Sequence, residues 1–270
     1  MTGSSGPWLS LHVHCHEVPA QDALVLTLAD ALDAGGHEWF FIRYWLHGPH
    51  LRVRVRDADA AAQVRTVAAA FFAGREVSSL EREGHYDRVP AGLREGIDVE
   101  ADTTWRASGE VVSAPYVREL ERYGGEGRIE AAEACFVAST RICVLVLRQA
   151  ASRPARVVAA AYVMRELVGR LGLAPRFGRY GSYWADGSDA APPVLPRAAV
   201  AVAADLRRLP AIDPWLAVMG DRLRESHGGT PTDADALVVA SQLHMTNNRL
   251  GIPVSWEASL GEALWGGPRG

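Results

Sequence analysis

The 270-residue sequence predicts an α+β chain: an antiparallel, ferredoxin-like sheet unit first, a helix-rich half after it. Three observations carry that prediction. Before about residue 75, hydrophobic periods of 2 and 3.6 follow one another in the order strand, helix, strand, strand, helix. After about residue 113, the apolar residues recur at helical spacing. Short stretches rich in glycine and proline separate these segments. We expect a single domain over residues 1–270, sheet-rich over 1–112 and helix-rich over 113–270.

In order along the chain, WLSLHVHCHEV alternates. Leu9, Leu11, Val13 and Cys15 face one way and Ser10, His12, His14 and His16 the other, as in a half-buried strand. Residues from about Gln21 to Ala34 have helical spacing, with Leu24, Leu26, Leu28 and Leu32 covering an apolar side, and DAGG stops them. A strand over Trp39–Trp45, a turn through His47-Gly48-Pro49, a strand over His50–Arg56 and an alanine-rich helix over about Ala58–Phe72 complete the opening. Helices on one side of such a sheet leave the other side for a site or a second layer. Residues 75–112 are polar and irregular, read as loops with an edge hairpin. Ser113 and Pro115 look like an N-cap and N-terminal proline for a helix over Tyr116–Tyr123, ended by Gly124-Gly125. Further helices are expected over about Arg128–Gln149, Pro154–Leu171, Arg197–Leu206, Asp213–Glu225 and Thr232–Asn247, with a loop RFGRYGSYWADGSDAAPP between the second and third.

Composition excludes several classes. The net charge is −4, which argues against affinity for nucleic acid through bulk charge. No run of about 18 uncharged apolar residues spans a membrane, and the N-terminal residues lack a signal-peptide pattern. We therefore expect a cytoplasmic protein. All 28 basic residues are arginines, a bias that makes any one arginine weak evidence unless its position argues for it. Cys15, Cys135 and Cys143 form no C-x-x-C pair and read as reduced core residues. Phosphate-loop, dinucleotide, zincin and serine-hydrolase motifs are absent.

Four constellations can carry chemistry. HLRVRVR puts His50, Arg52, Arg54 and Arg56 on one strand face, with Tyr44 and Arg43 on the preceding strand close by. A solvated amphipathic strand would look the same. Residues i and i+2 lie about 7 Å apart, however, so Arg52 and Arg54 can grip two anionic groups of one ligand, for which the planar guanidinium fork is suited. In YVRELERYGG, Glu119 and Arg122 are i, i+3 neighbours and Tyr123 follows; they form either a surface ion pair or a carboxylate that aims an arginine into a site. In SQLHMTNNRLGIP, His244 lies on the apolar side of its helix, with Asn248 and Arg249 at the helix end; it is either a satisfied core histidine or a titrating group. His12, His14 and His16 spread over about 13 Å of strand, too far for one metal ion, so we expect no metal site there.

Taken in order, WFFIRYWLHGPHLRVR, YVRELERYGGEGRIEAAEACFVAST and HMTNNRLG resemble the lanthipeptide and thiopeptide biosynthesis family that includes the C-terminal elimination domain of class I lanthipeptide dehydratases and its stand-alone relatives. The resemblance spans about residues 39–251. It implies an enzyme acting on a ribosomally synthesised precursor peptide with a leader. In the eliminating members, glutamate esterified to a Ser or Thr is expelled to leave dehydroalanine or dehydrobutyrine. Related stand-alone members join two dehydroalanines by a formal [4+2] aza-cycloaddition to build the pyridine of thiopeptides, with loss of the leader. A third implied role is a non-catalytic, leader-binding accessory subunit.

The resemblance maps functional positions of the eliminating type onto Arg52, Arg54, Glu119, Arg122 and His244, and so favours elimination. Arg52 and Arg54 are expected to bind the glutamyl carboxylate and developing oxyanion, and Arg122, held by Glu119, to complete the clamp. His244 is the candidate for proton transfer, since an arginine with a pKa above about 12 is a poor base. Tyr44, His50, Tyr123, Asn248 and Arg249 are candidate substrate contacts. No cofactor is implied. Since no glutamyl-tRNA-dependent domain is visible, the esterifying step is expected from a separate partner protein. Direct nucleic-acid binding and membrane attachment are not expected, and a homodimer is left open.

Overall fold

The computed structural model describes residues 7–87, 104–149, 152–180, 194–206 and 209–266. Its contacts divide the chain into two compact units, Met1–Val117 and Arg118–Gly270.

The first five elements of the first unit have the predicted order, and a short helix and a fourth strand follow where loops with an edge hairpin were expected. Strand β1 (Leu9–His14), helix α1 (Val18–Ala34), β2 (Trp39–Tyr44), β3 (His50–Val55), α2 (Ala58–Ala73), the short α3 (Arg82–Tyr86) and β4 (Val111–Ala114) follow in sequence. The four strands form one sheet in the order β2-β3-β1-β4, with antiparallel neighbours throughout. This is the strand order of a ferredoxin-like unit, with β4 in the last position.

The register explains the two faces. Leu11 pairs with Val53, Val13 with Leu51, and Phe41 with Val53. These side chains, with Trp39 and Val55, are at most 1% exposed. They share the unit's apolar core with α1, whose Leu24, Val25, Leu28 and Leu32 recur at helical spacing, and with α2, whose Val64, Ala68 and Phe71 do the same. Each such fully buried Leu, Val or Phe contributes about 1.5–3 kcal/mol. Asp57 starts α2 by accepting a hydrogen bond from the Ala60 N–H at 2.7 Å. The β2–β3 turn depends on Gly48, which has φ of 98°, and a Cβ there would lie 2.8 Å from His16 Nε2 and 2.9 Å from the Arg106 carbonyl oxygen.

The second unit is helical. It contains α4 (Glu126–Gln149), α5 (Arg153–Arg170), α6 (Val194–Asp205), α7 (Asp213–His227), α8 (Asp233–Leu250) and α9 (Val254–Trp265), with 3-10 turns over Glu121–Tyr123 and Ala174–Arg176. The long α4 is the central element, packed by α5, α7 and α8. Helix α8 begins with a capping box, Thr232 and Asp235 each bonding the other's backbone N–H. It ends at Gly251, left-handed at φ 72°.

The structure corrects three expectations. No helix covers Tyr116–Tyr123. Ser113 belongs to β4, where it pairs with Leu11, and only Glu121–Tyr123 turn as 3-10 helix before Gly124 at φ 86°. Arg43 faces the helices rather than the arginine column, pairing with Asp22 at 2.6 Å and Gln21 at 3.2 Å. Arg56 lies beyond the end of β3, 3.6 Å over the Trp8 ring and 2.7 Å from a Glu38 oxygen. A helix not anticipated, α9, follows the Gly251–Pro253 turn. Of the segments read as loops, residues 88–103, with any hairpin there, and 181–193 lie outside the described residues. No described helix is long and apolar enough to cross a membrane.

Candidate functional site

Within the first unit, the sheet face opposite the helices carries the chemistry. Cross-strand pairing sets His12 beside Arg52, His14 beside His50, and Ser10 beside Arg54. On the other side, Tyr44 pairs with His50, Ile42 with Arg52, and Phe40 with Arg54. Three imidazoles therefore touch: His12 stacks on His50 with centroids 4.7 Å apart, and His14 meets His50 at 4.6 Å.

Neighbouring rings hold Arg52. Its guanidinium carbon lies 3.4 Å over the centre of the Tyr44 ring, and its Nε–H donates to His50 Nε2 at 3.3 Å. His50 can accept there because its Nδ1 donates to the Gly48 carbonyl at 2.7 Å. Arg54 is nearly buried, donates to the Arg52 carbonyl at 3.0 Å, and sits near the rings of Phe40 and Tyr116.

Burial keeps this histidine column uncharged. It lowers His50 to about 2 against the upward pull of the Gly48 carbonyl, and His14, His12 and Arg52 lower it further. His12 is lowered to about 3 by burial and then by Arg52 and Arg54, and His14 to about 4 by burial and then by His16. At neutral pH the arginines are the charged groups of that strip. Among the described residues no cluster of three or more His, Cys, Asp or Glu side chains is placed to hold a metal ion.

Within the second unit, Arg122 and Glu119 form the ion pair that their spacing implies, at 3.1 Å, with Arg122 half-buried and Glu119 exposed. Tyr123 is buried and meets Phe136 edge-on at 4.9 Å; burial pushes its hydroxyl up to about 12. Arg249 is fully buried: its guanidinium lies 5.5 Å from the Phe136 ring and donates to Ser139 Oγ at 3.2 Å. Asn248 is half-buried. Sequence reasoning missed a second arginine clamp, Arg118, which holds the buried Glu133 with two bonds of 2.8 and 2.9 Å.

His244 is half-buried on α8, and its Nδ1 lies 2.9 Å from Glu257 Oε2. Glu257 is 1% exposed, and its other oxygen accepts the hydroxyl of the buried Tyr180. Neither partner had a sequence signal. Glu257 is 13 positions from His244 on an unanticipated helix, and Tyr180 is 77 positions from Glu257. The arrangement is that of an imidazole oriented from behind by a carboxylate, suited to moving a proton.

Comparison with known proteins agrees with the family resemblance. The family described as "Lantibiotic biosynthesis dehydratase C-term" matches residues 8–266. Among solved structures, the tRNA dependent lantibiotic dehydratase MibB from Microbispora sp. 107891 aligns with a TM-score of 0.58 at 22% identity. That alignment covers 98% of this chain and 28% of the dehydratase, so this chain spans under a third of that protein. The pyridine synthase TbtD from thiomuracin biosynthesis aligns with a TM-score of 0.63 at 17% identity, covering 96% of this chain and 97% of the synthase. At these identities the likeness is one of fold. No curated protein matches the chain in sequence.

Proposed function

The chain belongs to the lantibiotic dehydratase C-terminal family, and from that premise we propose that it is a lyase that expels glutamate from glutamylated Ser or Thr of a precursor peptide. The α-proton passes to a base, its bonding electrons form the Cα=Cβ bond, and the Cβ–O bond breaks with its electron pair leaving on the glutamate carboxylate. The product residue is dehydroalanine or dehydrobutyrine.

The observation that carries this reading is the fixing of Arg52. A guanidinium stacked on Tyr44 and tethered through Nε to a neutral histidine presents its charge in one orientation. Elimination builds negative charge on the peptide carbonyl and on the departing carboxylate. A preorganised cation aimed at such charge accelerates the step without reorganising during it. Arg54 backs Arg52 through the backbone, and Arg122 is the second proposed cation, with Glu119 limiting its travel. His244, oriented by Glu257, is the proposed proton-transfer group. Tyr44 and His50 serve substrate by setting Arg52. The buried Tyr123 and Arg249 pack within their own unit, and Asn248 is left as the polar contact of that helix end.

The glutamyl ester is supplied by a glutamyl-tRNA-dependent partner, and the precursor is engaged with its leader attached. The competing reading, pyridine formation from two dehydroalanines, is supported by fold likeness to a synthase and would assign the arginines to peptide binding. Mass spectrometry separates the two. Purified protein is incubated with a leader peptide glutamylated on serine, and separately with one carrying two dehydroalanines. Loss of glutamate from the first supports elimination. Loss of leader plus water from the second, with the first untouched, overturns it.

A further inference from the structure

We infer that Glu257 is a positioning residue that sets the tautomer of His244, so that the imidazole enters the reaction as a base through Nε2. This inference rests on the reading of His244 as the proton-transfer group. It adds the direction in which the proton moves, which the residue types alone leave open.

The argument starts from how α9 is placed. Gly251 ends α8 in a left-handed conformation, Pro253 is extended at φ −62°, ψ 148°, and α9 turns back against α8. That reversal puts Glu257 behind His244, with 2.9 Å between Oε2 and Nδ1. The carboxylate is buried, and Tyr180 supplies the second donor, to Oε1. Tyr180 is itself fixed in an aromatic cluster, with its ring 5.5 Å from Phe177 and 5.4 Å from Trp265, which lie 4.9 Å from each other.

An ionised carboxyl group only accepts, so with the Tyr180 hydroxyl donating to Oε1, Glu257 in that form takes its second donor from His244. The ring proton of neutral His244 therefore resides on Nδ1, and the lone pair on Nε2. When the substrate α-proton arrives at Nε2, the new positive charge on the ring faces an anion at 2.9 Å that does not itself take the proton. An isolated buried acid–histidine pair is seldom the most stable solution for a core; apolar residues of similar volume often serve as well or better. The gradient here, from a fully buried tyrosine and glutamate to a half-buried histidine, is the order expected of an orienting group placed behind a working base.

The test uses the full chain labelled with 15N-histidine, its His244 signals assigned by difference against His244→Gln. Long-range 1H–15N spectra at about pH 8 distinguish the two neutral tautomers. Wild type is expected to show the proton on Nδ1. In Glu257→Gln the side-chain amide can donate to Nδ1, which moves the ring proton to Nε2. That variant is expected to lose about 10²- to 10⁴-fold in kcat for glutamate release, with KM within about threefold of wild type. Tyr180→Phe keeps the carboxylate and should keep the Nδ1–H form.

A wild-type ring protonated on Nε2 overturns the inference, as does a Glu257→Gln protein with an unchanged tautomer and rate. Should Glu257→Gln fail to fold, the wild-type and Tyr180→Phe spectra still decide. Failure of the elimination reading would look different: the Nδ1–H signature would be present in wild type, yet no glutamate would be released from the glutamylated peptide.

Discussion

Lowering the pH from 7.5 to 5.5 should destabilise the first unit through its histidine column, by an amount that follows from linkage. His12, His14 and His50 have folded-state values of about 3, 4 and 2 against an ordinary value of 6.5. The unfolded chain therefore takes up protons that the folded sheet does not. Stability is fully present above pH 6.5 and is lost as pH falls below it. At pH 5.5 an unfolded histidine is about ten-elevenths protonated, a linkage of about 1.4 kcal/mol for each ring and about 4 kcal/mol for three. The sum hardly depends on the folded values so long as they stay well below 5.5. Carboxylates contribute little in that window, because their unfolded values lie near 4. His16 and His227 are also lowered by burial and act in the same direction, so the decisive measurement is a difference. His14 is 2% exposed, and its Nδ1 has no hydrogen-bond partner among the described residues. In urea titrations followed by circular dichroism, His14→Leu should lose about 1.4 kcal/mol less than wild type between pH 7.5 and 5.5. Equal losses in the two proteins would refute the account of a neutral, buried column.

Arg52→Lys keeps the charge but removes the stacked plane and the Nε–H donor; kcat for glutamate release should fall about 10²- to 10³-fold, measured by single-turnover mass spectrometry. Arg118→Ala strips a buried carboxylate of its bidentate partner and should cost about 3 kcal/mol in urea unfolding, the lower end for a buried pair because Arg118 itself is partly exposed. Thr232→Ala removes the N-cap of the helix that carries His244 and should cost about 1 kcal/mol, seen as a shift of the urea midpoint with unchanged slope.

The first unit was legible because its faces are periodic: Leu11, Val13, Leu51, Val53 and Val55 announce a sheet face that must be covered, and their alternates announce the other. The arginine–histidine strip follows from the same alternation. What alternation could not supply is which neighbour each group meets, and the tether from Arg52 to His50 is a matter of register and side-chain reach. Strand β4 was misread because Ser-Ala-Pro carries a helix-start signature, yet pairing of four residues with β1 prevails over a cap that has little helix to start. The helix expected over Tyr116–Tyr123 would have been short and poorly anchored, with Val117 77% exposed. Short helices rely on tertiary packing, and Arg118 is committed instead to Glu133. The Glu119–Arg122 pair was readable at i, i+3, whereas Glu257 and Tyr180 were not: their bond to each other and to His244 joins three separate elements.

The three cysteines have a bearing on the proposed product. Dehydroalanine is a Michael acceptor, and the nucleophile it meets most readily in a protein is a thiolate. Cys15, Cys135 and Cys143 are all buried, with burial pushing Cys15 up to about 11 and Cys135 up to about 12. Each sulfhydryl also points at a carbonyl of its own unit: Glu17, Met219 and Thr246, respectively. The proposed elimination releases an electrophilic alkene, and the described residues offer it no accessible thiolate to alkylate.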